Sequence, residues 1–308
     1  MLSVIIPVYN EKENITILYN ELKSVLSKLN LNYELIFIDD GSRDGSFEVL
    51  KEMNLKDKKV RVIKFRRNFG QTAAIDAGFK HSNGDRIITM DGDLQNDPED
   101  IPLLVQKLKS GYDLVSGWRY NRNDSFGKKL SSKIANTIRR FLFDDKTHDA
   151  GCTLKAYTKE AVSDLELYGE MHRYITTLIK LKGFKITELK VNHRERKFGR
   201  TKYNTKRLLH GFLDMLYLKF WADYSTRPLH FFGLVGLIQY VLSFIIIIEQ
   251  LVKLYINKVI FIGPMALGAA ILIITGTLSI ILGFLGEVII RTYHITRNKP
   301  SYNVEKIL

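Results

Sequence analysis

Short apolar runs rich in Ile and Val alternate with segments of helical period through about residue 200. This is the pattern of a parallel sheet flanked by helices. The predicted strands are Leu2–Ile6, Glu34–Ile38, Val60–Phe65, Arg86–Met90 and Asp113–Ser116. Between the first two, Ile15, Leu18, Leu22, Val25, Leu26 and Leu29 recur at three- and four-residue spacing, the stripe of a helix packed on a core. At Asp97-Pro98-Glu99-Asp100 a capping carboxylate precedes proline at the first helical position and acids fill the first turn. That helix should run to about Lys109, before Gly111.

The pattern changes near residue 203. From Lys182 to Arg227 there are twelve basic and four acidic residues, with Leu208, Leu209, Phe212, Met215, Leu216, Leu218, Phe220 and Trp221 interleaved. A basic amphipathic stretch of this kind suits an anionic membrane surface. Two uncharged stretches follow, Phe231–Ile248 and Val259–Gly286, each long enough to cross a bilayer. Their short connection at Asn257-Lys258 predicts an antiparallel hairpin. Lys202, Lys206, Arg207, Lys219 and Arg227 precede it, Arg291, Arg297 and Lys299 follow it, and only Lys253 and Lys258 sit near its tip. The positive-inside rule puts both ends in the cytosol, most simply at a bacterial inner membrane. The expected organisation is a cytosolic α/β domain over 1–203, amphipathic juxtamembrane helices over 204–228, a transmembrane hairpin over 229–291 (helices about 229–252 and 259–287) and a cytosolic tail over 292–308.

Charge and cysteine content narrow the partners. A net charge of +13 over 308 residues favours acidic ligands: phosphorylated small molecules, anionic lipid or nucleic acid. A single cysteine, Cys152, excludes an internal disulfide, and no Cys/His spacing suits zinc. The chain opens directly into an apolar strand, without the basic region and long apolar run of a signal peptide. An N-terminal domain in the cytosol is expected.

Polar residues gather where the predicted strands end, which is where open α/β sheets bind ligands. Asn10 and Glu11 follow the first strand, Asp39-Asp40-Gly41-Ser42 the second, and Asp91-Gly92-Asp93-Leu94-Gln95 the fourth. No G-x-G-x-x-G and no G-x-x-x-x-G-K-[ST] occurs, so dinucleotide and P-loop sites lack support. Asp91, Asp93 and Gln95 at i, i+2 and i+4 would point to one side of an extended segment. Hard oxygen donors of that kind suit Mg²⁺ or Mn²⁺ shared with substrate phosphates.

The strings SVIIPVYNE, FIDDGSRDGS, RNFGQTAAIDAG and MDGDLQNDPE together resemble the family 2 glycosyltransferases of GT-A fold. Within that family they resemble the dolichol-phosphate mannose synthase and bacterial polyprenyl-phosphate glycosyltransferase branch, and the hairpin resembles the bacterial two-helix type. The absence of a Q-x-x-R-W motif argues against processive polysaccharide synthases. The resemblance implies that Pro7, Tyr9, Glu11 and Asp39 line the base and ribose pocket with Asp40 near it. It implies further that Asp91 faces ribose and metal, and that Asp93 and Gln95 bind the metal. Arg119 matches a family arginine near the acceptor phosphate. Lys128 and Ser132 match an arginine and a serine of the mannose synthases, the lysine being unable to grip phosphate as a fork. Arg194, Arg196, Arg200 and Lys202 resemble a basic loop that closes over the donor diphosphate. Asp149, in His148-Asp149-Ala150-Gly151-Cys152, matches a loop that orders the acceptor site, and His172 and Arg173 carry no assigned role.

The implied reaction is inverting transfer of a hexose from a nucleotide-sugar to a polyprenyl phosphate. UDP-glucose is the donor suggested by the hairpin type and GDP-mannose the alternative. A phosphate monoester has a second pKa near 6, so no strong general base is needed. A diacylglycerol acceptor, a non-catalytic membrane scaffold and a nucleic-acid-binding protein are the rival readings, the last expected to bind with steep salt dependence. Gly263, Gly268, Ala269, Ala270 and Gly276 would allow close helix packing in a homo-oligomer such as a tetramer.

Overall fold

The apolar runs become the centre of an eight-stranded sheet in a computed structural model, which describes residues 1–120, 137–140, 142–143, 147–196, 198, 206–224, 227–257, 263–295 and 304–307. The strands are β1 (Leu2–Val8), β2 (Tyr33–Asp39), β3 (Val60–Phe65), β4 (Arg86–Thr89), β5 (Leu114–Arg119), β6 (Lys155–Thr158), β7 (Ile186–Val191) and β8 (Val304–Ile307), in the order β7-β5-β6-β4-β1-β2-β3-β8. β1 pairs in parallel with β2 and β4, β2 with β3, and β5 with β7. β6 is antiparallel to both β4 and β5, and β8 is antiparallel to β3. The expected α/β class with a mostly parallel centre is therefore present. The five predicted strands lie where the pattern put them, to within three residues at each end.

Helices α1 (Lys12–Ser27), α2 (Ser46–Lys56), α3 (Gln71–His81) and α4 (Ile101–Lys109) connect the parallel strands. In α1 the stripe residues Ile15, Leu18, Leu22, Val25 and Leu26 are buried, and Leu29 packs against the same core. Asp97 caps a 3-10 turn, Pro98–Asp100, by accepting from the Glu99 N–H at 3.0 Å, and α4 continues from it. Gly78 brings α3 close to β1: a Cβ there would meet Ile5 Cγ2 at 2.3 Å. Short helices α5 (Lys159–Ser163) and α6 (Ile175–Leu181) follow β6.

Beyond the sheet lie α7 (Lys206–Tyr224), α8 (Pro228–Asn257) and α9 (Pro264–Ile295). The chain divides into two compact units, Met1–Leu216 with Pro300–Leu308, and Tyr217–Lys299. β8 belongs to the first, so the chain on either side of the hairpin is tied into one unit. In the second unit, Pro228–Ile256 and Pro264–Ile289 have mean hydropathies of 2.5 and 2.3, with 11% of each apolar window buried. Core helices of a soluble domain would be mostly buried, so these are membrane spans and the chain is a membrane protein.

The hairpin packs through small residues. A Cβ on Gly236 would meet the Gly276 carbonyl at 2.7 Å, and one on Gly276 would meet the Gly236 carbonyl at 3.1 Å. Ser243 donates to the Ala269 carbonyl at 2.9 Å and Tyr240 bonds Thr277 at 2.8 Å. Gly276 and Ala269, read from the sequence as sites for packing between copies, are thus used within one hairpin.

Candidate functional site

The loops that leave β1 and β2 are sewn to each other. Asn10 takes a left-handed φ of 54°; its N–H donates to Ser42 Oγ at 2.9 Å and its Oδ1 accepts from the Arg43 N–H at 2.8 Å. The Glu11 N–H donates to Ser46 Oγ at 3.1 Å, and the Lys12 N–H to Asp44 at 3.1 Å. Asn10, Asp44 and Ser46 thus shape this rim, Asp44 and Ser46 without having been singled out as ligands. The signal for them was D-G-S, a turn sequence that ends in a helix start. Pro7, Tyr9 and Glu11 lie on the rim, each half-buried.

The two acids ending β2 differ sharply. Asp39 is fully buried; its Oδ1 accepts from the Ser42 N–H at 3.0 Å, while Oδ2 has no hydrogen-bond partner among the described residues. Burial pushes its pKa above the ordinary carboxylate range. Asp40 is saturated: it accepts from Asn68 Nδ2 (2.9 Å), the Phe69 N–H (2.7 Å) and the Gly70 N–H (2.9 Å). Asp40 therefore builds the loop that enters α3. Gly41 permits that loop's approach, since at φ +73° a Cβ would lie 2.5 Å from the Arg67 carbonyl carbon.

The acidic motif after β4 is not extended. Leu94, itself buried, has a φ of 65°, and Asp93 Oδ1 accepts from the Gln95 N–H at 3.1 Å. The alternation argument for Asp91, Asp93 and Gln95 fails for that reason: a bend aims the side chains. Asp91 is held by Gln71 Nε2 at 2.7 Å on Oδ1 and by Thr153 Oγ1 at 2.6 Å on Oδ2. Burial, then the neighbouring Asp93 charge, push its pKa up to about 6. Asp93 Oδ2 accepts from Arg196 Nη2 at 2.5 Å. A guanidinium already seated on this carboxylate, beside a second acid whose charge is disfavoured, is the electrostatics of a cation site. Among the described residues no third acid, His or Cys joins them. Two carboxylates and an amide are what Mg²⁺ or Mn²⁺ needs from protein when substrate phosphates and water complete the shell, so the donor set fits such an ion.

On the other flank Arg119, ending β5, grips Asp149 as a fork, Nε to Oδ2 at 2.7 Å and Nη2 to Oδ1 at 2.9 Å. Burial would raise the Asp149 carboxyl, but Arg119 outweighs it and holds the pKa below the ordinary range. Two of the three guanidinium nitrogens are thereby committed, so Arg119 is less free for an anion than its motif suggested. Arg194 is likewise clamped, to Glu21 at 2.7 Å and Asp97 at 2.6 Å, and its N–H donates to the Gln95 carbonyl. It braces the acidic bend from behind. His172 Nδ1 meets Thr72 Oγ1 at 2.7 Å, which ties the turn 171–174 to α3, and Arg173 pairs locally with Glu170. Lys128, Ser132, Arg200 and Lys202 lie outside the described residues.

The opposite end of the sheet gives the contrast. There Glu34 accepts from Ser3, Arg61 and Asn83, so the acid at that end is fully employed. At the carboxyl end of β2, by contrast, Asp39 keeps one buried oxygen without a partner among the described residues.

The sequence profile described as Glycosyl transferase family 2 matches residues 3–166. The chain belongs to this family. Its relatives include the dodecaprenyl-phosphate galacturonate synthase of Rhizobium johnstonii, 36% identical over 99% of this chain and 92% of the relative. They also include the undecaprenyl-phosphate 4-deoxy-4-formamido-L-arabinose transferase of Photorhabdus laumondii, 36% identical over 99% of this chain and 94% of the relative. The polyprenyl-phosphate branch read from the motifs is therefore the branch to which this family 2 enzyme belongs. Glucosyl-3-phosphoglycerate synthase from Mycobacterium tuberculosis, solved with Mn²⁺ and UDP-glucose, shares the fold at a TM-score of 0.54 and 18% identity, over 71% of this chain and 78% of that one.

Proposed function

We propose that this protein transfers a sugar from a nucleoside diphosphate sugar, UDP-linked in the first instance, to a polyprenyl phosphate at the cytosolic face of a membrane. The observation that carries the reading is the pairing of two half-sites at one end of the sheet. One is acidic, with Asp39, Asp91 and Asp93; the other is built on the Arg119–Asp149 fork.

Each residue has a physical task. The unpartnered Asp39 oxygen accepts an imide or amide N–H of the base. Asp91 and Asp93, with Gln95, hold Mg²⁺ or Mn²⁺, and that ion supplies charge stabilisation to the leaving diphosphate. Arg196, displaced from Asp93, pairs with a diphosphate oxygen. Arg200 and Lys202 extend that positive loop, and Lys128 and Ser132 with the open edge of Arg119 receive the acceptor phosphate. A phosphate oxygen of the acceptor attacks the anomeric carbon as the bond to the diphosphate oxygen breaks. The nucleoside diphosphate leaves, and one displacement inverts the centre. Orientation and charge suffice because the nucleophile is already ionised near neutral pH.

The apolar residues Leu213, Leu216 and Tyr217 of α7 are exposed at i, i+3 and i+4. They support a helix lying in the membrane interface that orients the catalytic unit toward an acceptor whose tail stays in the bilayer.

The test incubates membranes containing the protein with undecaprenyl phosphate and labelled UDP-glucose, UDP-galacturonate, UDP-4-deoxy-4-formamido-L-arabinose and GDP-mannose. Label should enter the organic extract with one donor and be lost on Asp93→Asn. Extractable label from none of a broad donor set would overturn the reading.

A further inference from the structure

Lys155 begins β6 and is only 2% exposed, yet no step of the proposed transfer uses it. A buried ammonium is expensive unless its protons and charge are met. Its Nζ donates to the Ala150 carbonyl at 3.1 Å and to the Cys152 carbonyl. Burial lowers its pKa, with Asp149 and Asp91 among the acids that oppose the shift.

The carbonyls of this turn can be accounted for one by one. Asp149 O accepts from the Cys152 N–H, Thr153 O from Thr89 Oγ1 at 2.6 Å, and Leu154 O from the Gly117 N–H at 2.9 Å. Gly151 is exposed. The two that remain, on buried Ala150 and Cys152, are those Lys155 serves. The same turn carries Asp149, which grips Arg119, and Thr153, which donates to Asp91.

We propose that Lys155 is a positioning residue: its ammonium fixes the 149–153 turn and thereby sets Asp91, on the donor side, against Arg119, on the acceptor side. The inference rests on the transfer reading above. One buried cation then serves both substrates without touching either.

Lys155→Met keeps the length and removes both donors and charge; Lys155→Arg keeps charge and donors. Two quantities are read: Mn²⁺ affinity, by titration against the manganese resonance, and KM for polyprenyl phosphate. Lys155→Met should weaken Mn²⁺ binding and raise the acceptor KM, each roughly 10-fold or more, and Lys155→Arg should recover most of both. A change in only one of the two, or no recovery by arginine, would sink the proposal. Should Lys155→Met fail to fold, Thr153→Ala and Asp149→Asn test it as a double-mutant cycle. Coupling between the two arms supports the shared turn, and additive effects refute it. Wild-type protein that transfers no sugar condemns the transfer reading, whereas active wild type with an indifferent Lys155→Met condemns this one.

Discussion

Asp39 and Asp40 are chemically identical neighbours with opposite employment. Asp40 spends its carboxylate on three donors of the 68–70 loop, and Asp39 keeps one buried oxygen unpaired. Asp40→Ala should therefore lower stability by about 1.5–3 kcal/mol per charged hydrogen-bond set lost, seen as a fall in unfolding midpoint. Asp39→Ala should leave the midpoint level or higher, because it removes a buried acid with one oxygen unpaired, and should weaken nucleotide binding in calorimetry. The pKa of Asp39 is raised, so its ionised form is disfavoured by the fold; binding that needs the ionised form must weaken as pH falls through that raised value. A nucleotide affinity that is flat with acidification in wild type, and matches Asp39→Asn at every pH, would contradict the assignment. For Asp149 the sign is reversed. Its depressed pKa means the Arg119 pair stabilises the fold above the ordinary carboxylate pKa and is lost only as pH falls through the lower folded value, so it is silent near neutrality. The sequence named Asp39 and Asp40 together because a strand-end D-D carries no mark of which oxygen is spent; that depends on the Asn68–Gly70 amides, some 30 positions away.

At the scale of elements, the strands that were legible are those buried on both faces. β1 and β2 are buried along nearly their whole length and are mostly apolar. β6 opens on a lysine, β7 alternates only weakly, and β8 reads Val-Glu-Lys-Ile, so short polar edge and antiparallel strands had no hydrophobic signature to find. The acidic bend was visible as a motif, but its geometry was not, because a left-handed leucine persists only where the surrounding structure holds it there. In the hairpin, the glycine pair at 236 and 276 makes a sharp expectation. Gly236→Ala places a methyl group on the Gly276 carbonyl and Ile280, so the two helices must separate. The unfolding midpoint in detergent should fall, while nucleotide affinity of the intact protein stays within about twofold, as expected for sites with no shared partners. An unchanged midpoint would mean the helices do not meet there.

The whole molecule invites a topology measurement that its own composition makes simple. Cys152, its single cysteine, is buried, and burial pushes its thiol pKa to about 11, so it scarcely forms thiolate at neutral pH. Lys58→Cys, on an exposed turn of the sheet unit, and Asn257→Cys, at the end of α8, should label with a membrane-impermeant maleimide from opposite sides. Labelling of both from one side would remove the spanning hairpin. The charge pattern that predicts this arrangement is legible because it is written in composition, whereas β8's return is not, since nothing in four residues announces a distant partner.

That return has a consequence in time. β3 pairs with β2 as soon as both have left the ribosome, but its other edge meets β8 only after the two apolar helices have been made. At ordinary synthesis rates the delay is tens of seconds, during which an open strand edge stands unpaired. The last strand can reach it only from the same side, so a hairpin inserted halfway would strand β8 across the bilayer. Completion of the sheet therefore requires that the chain before and after the two apolar helices lie on one side.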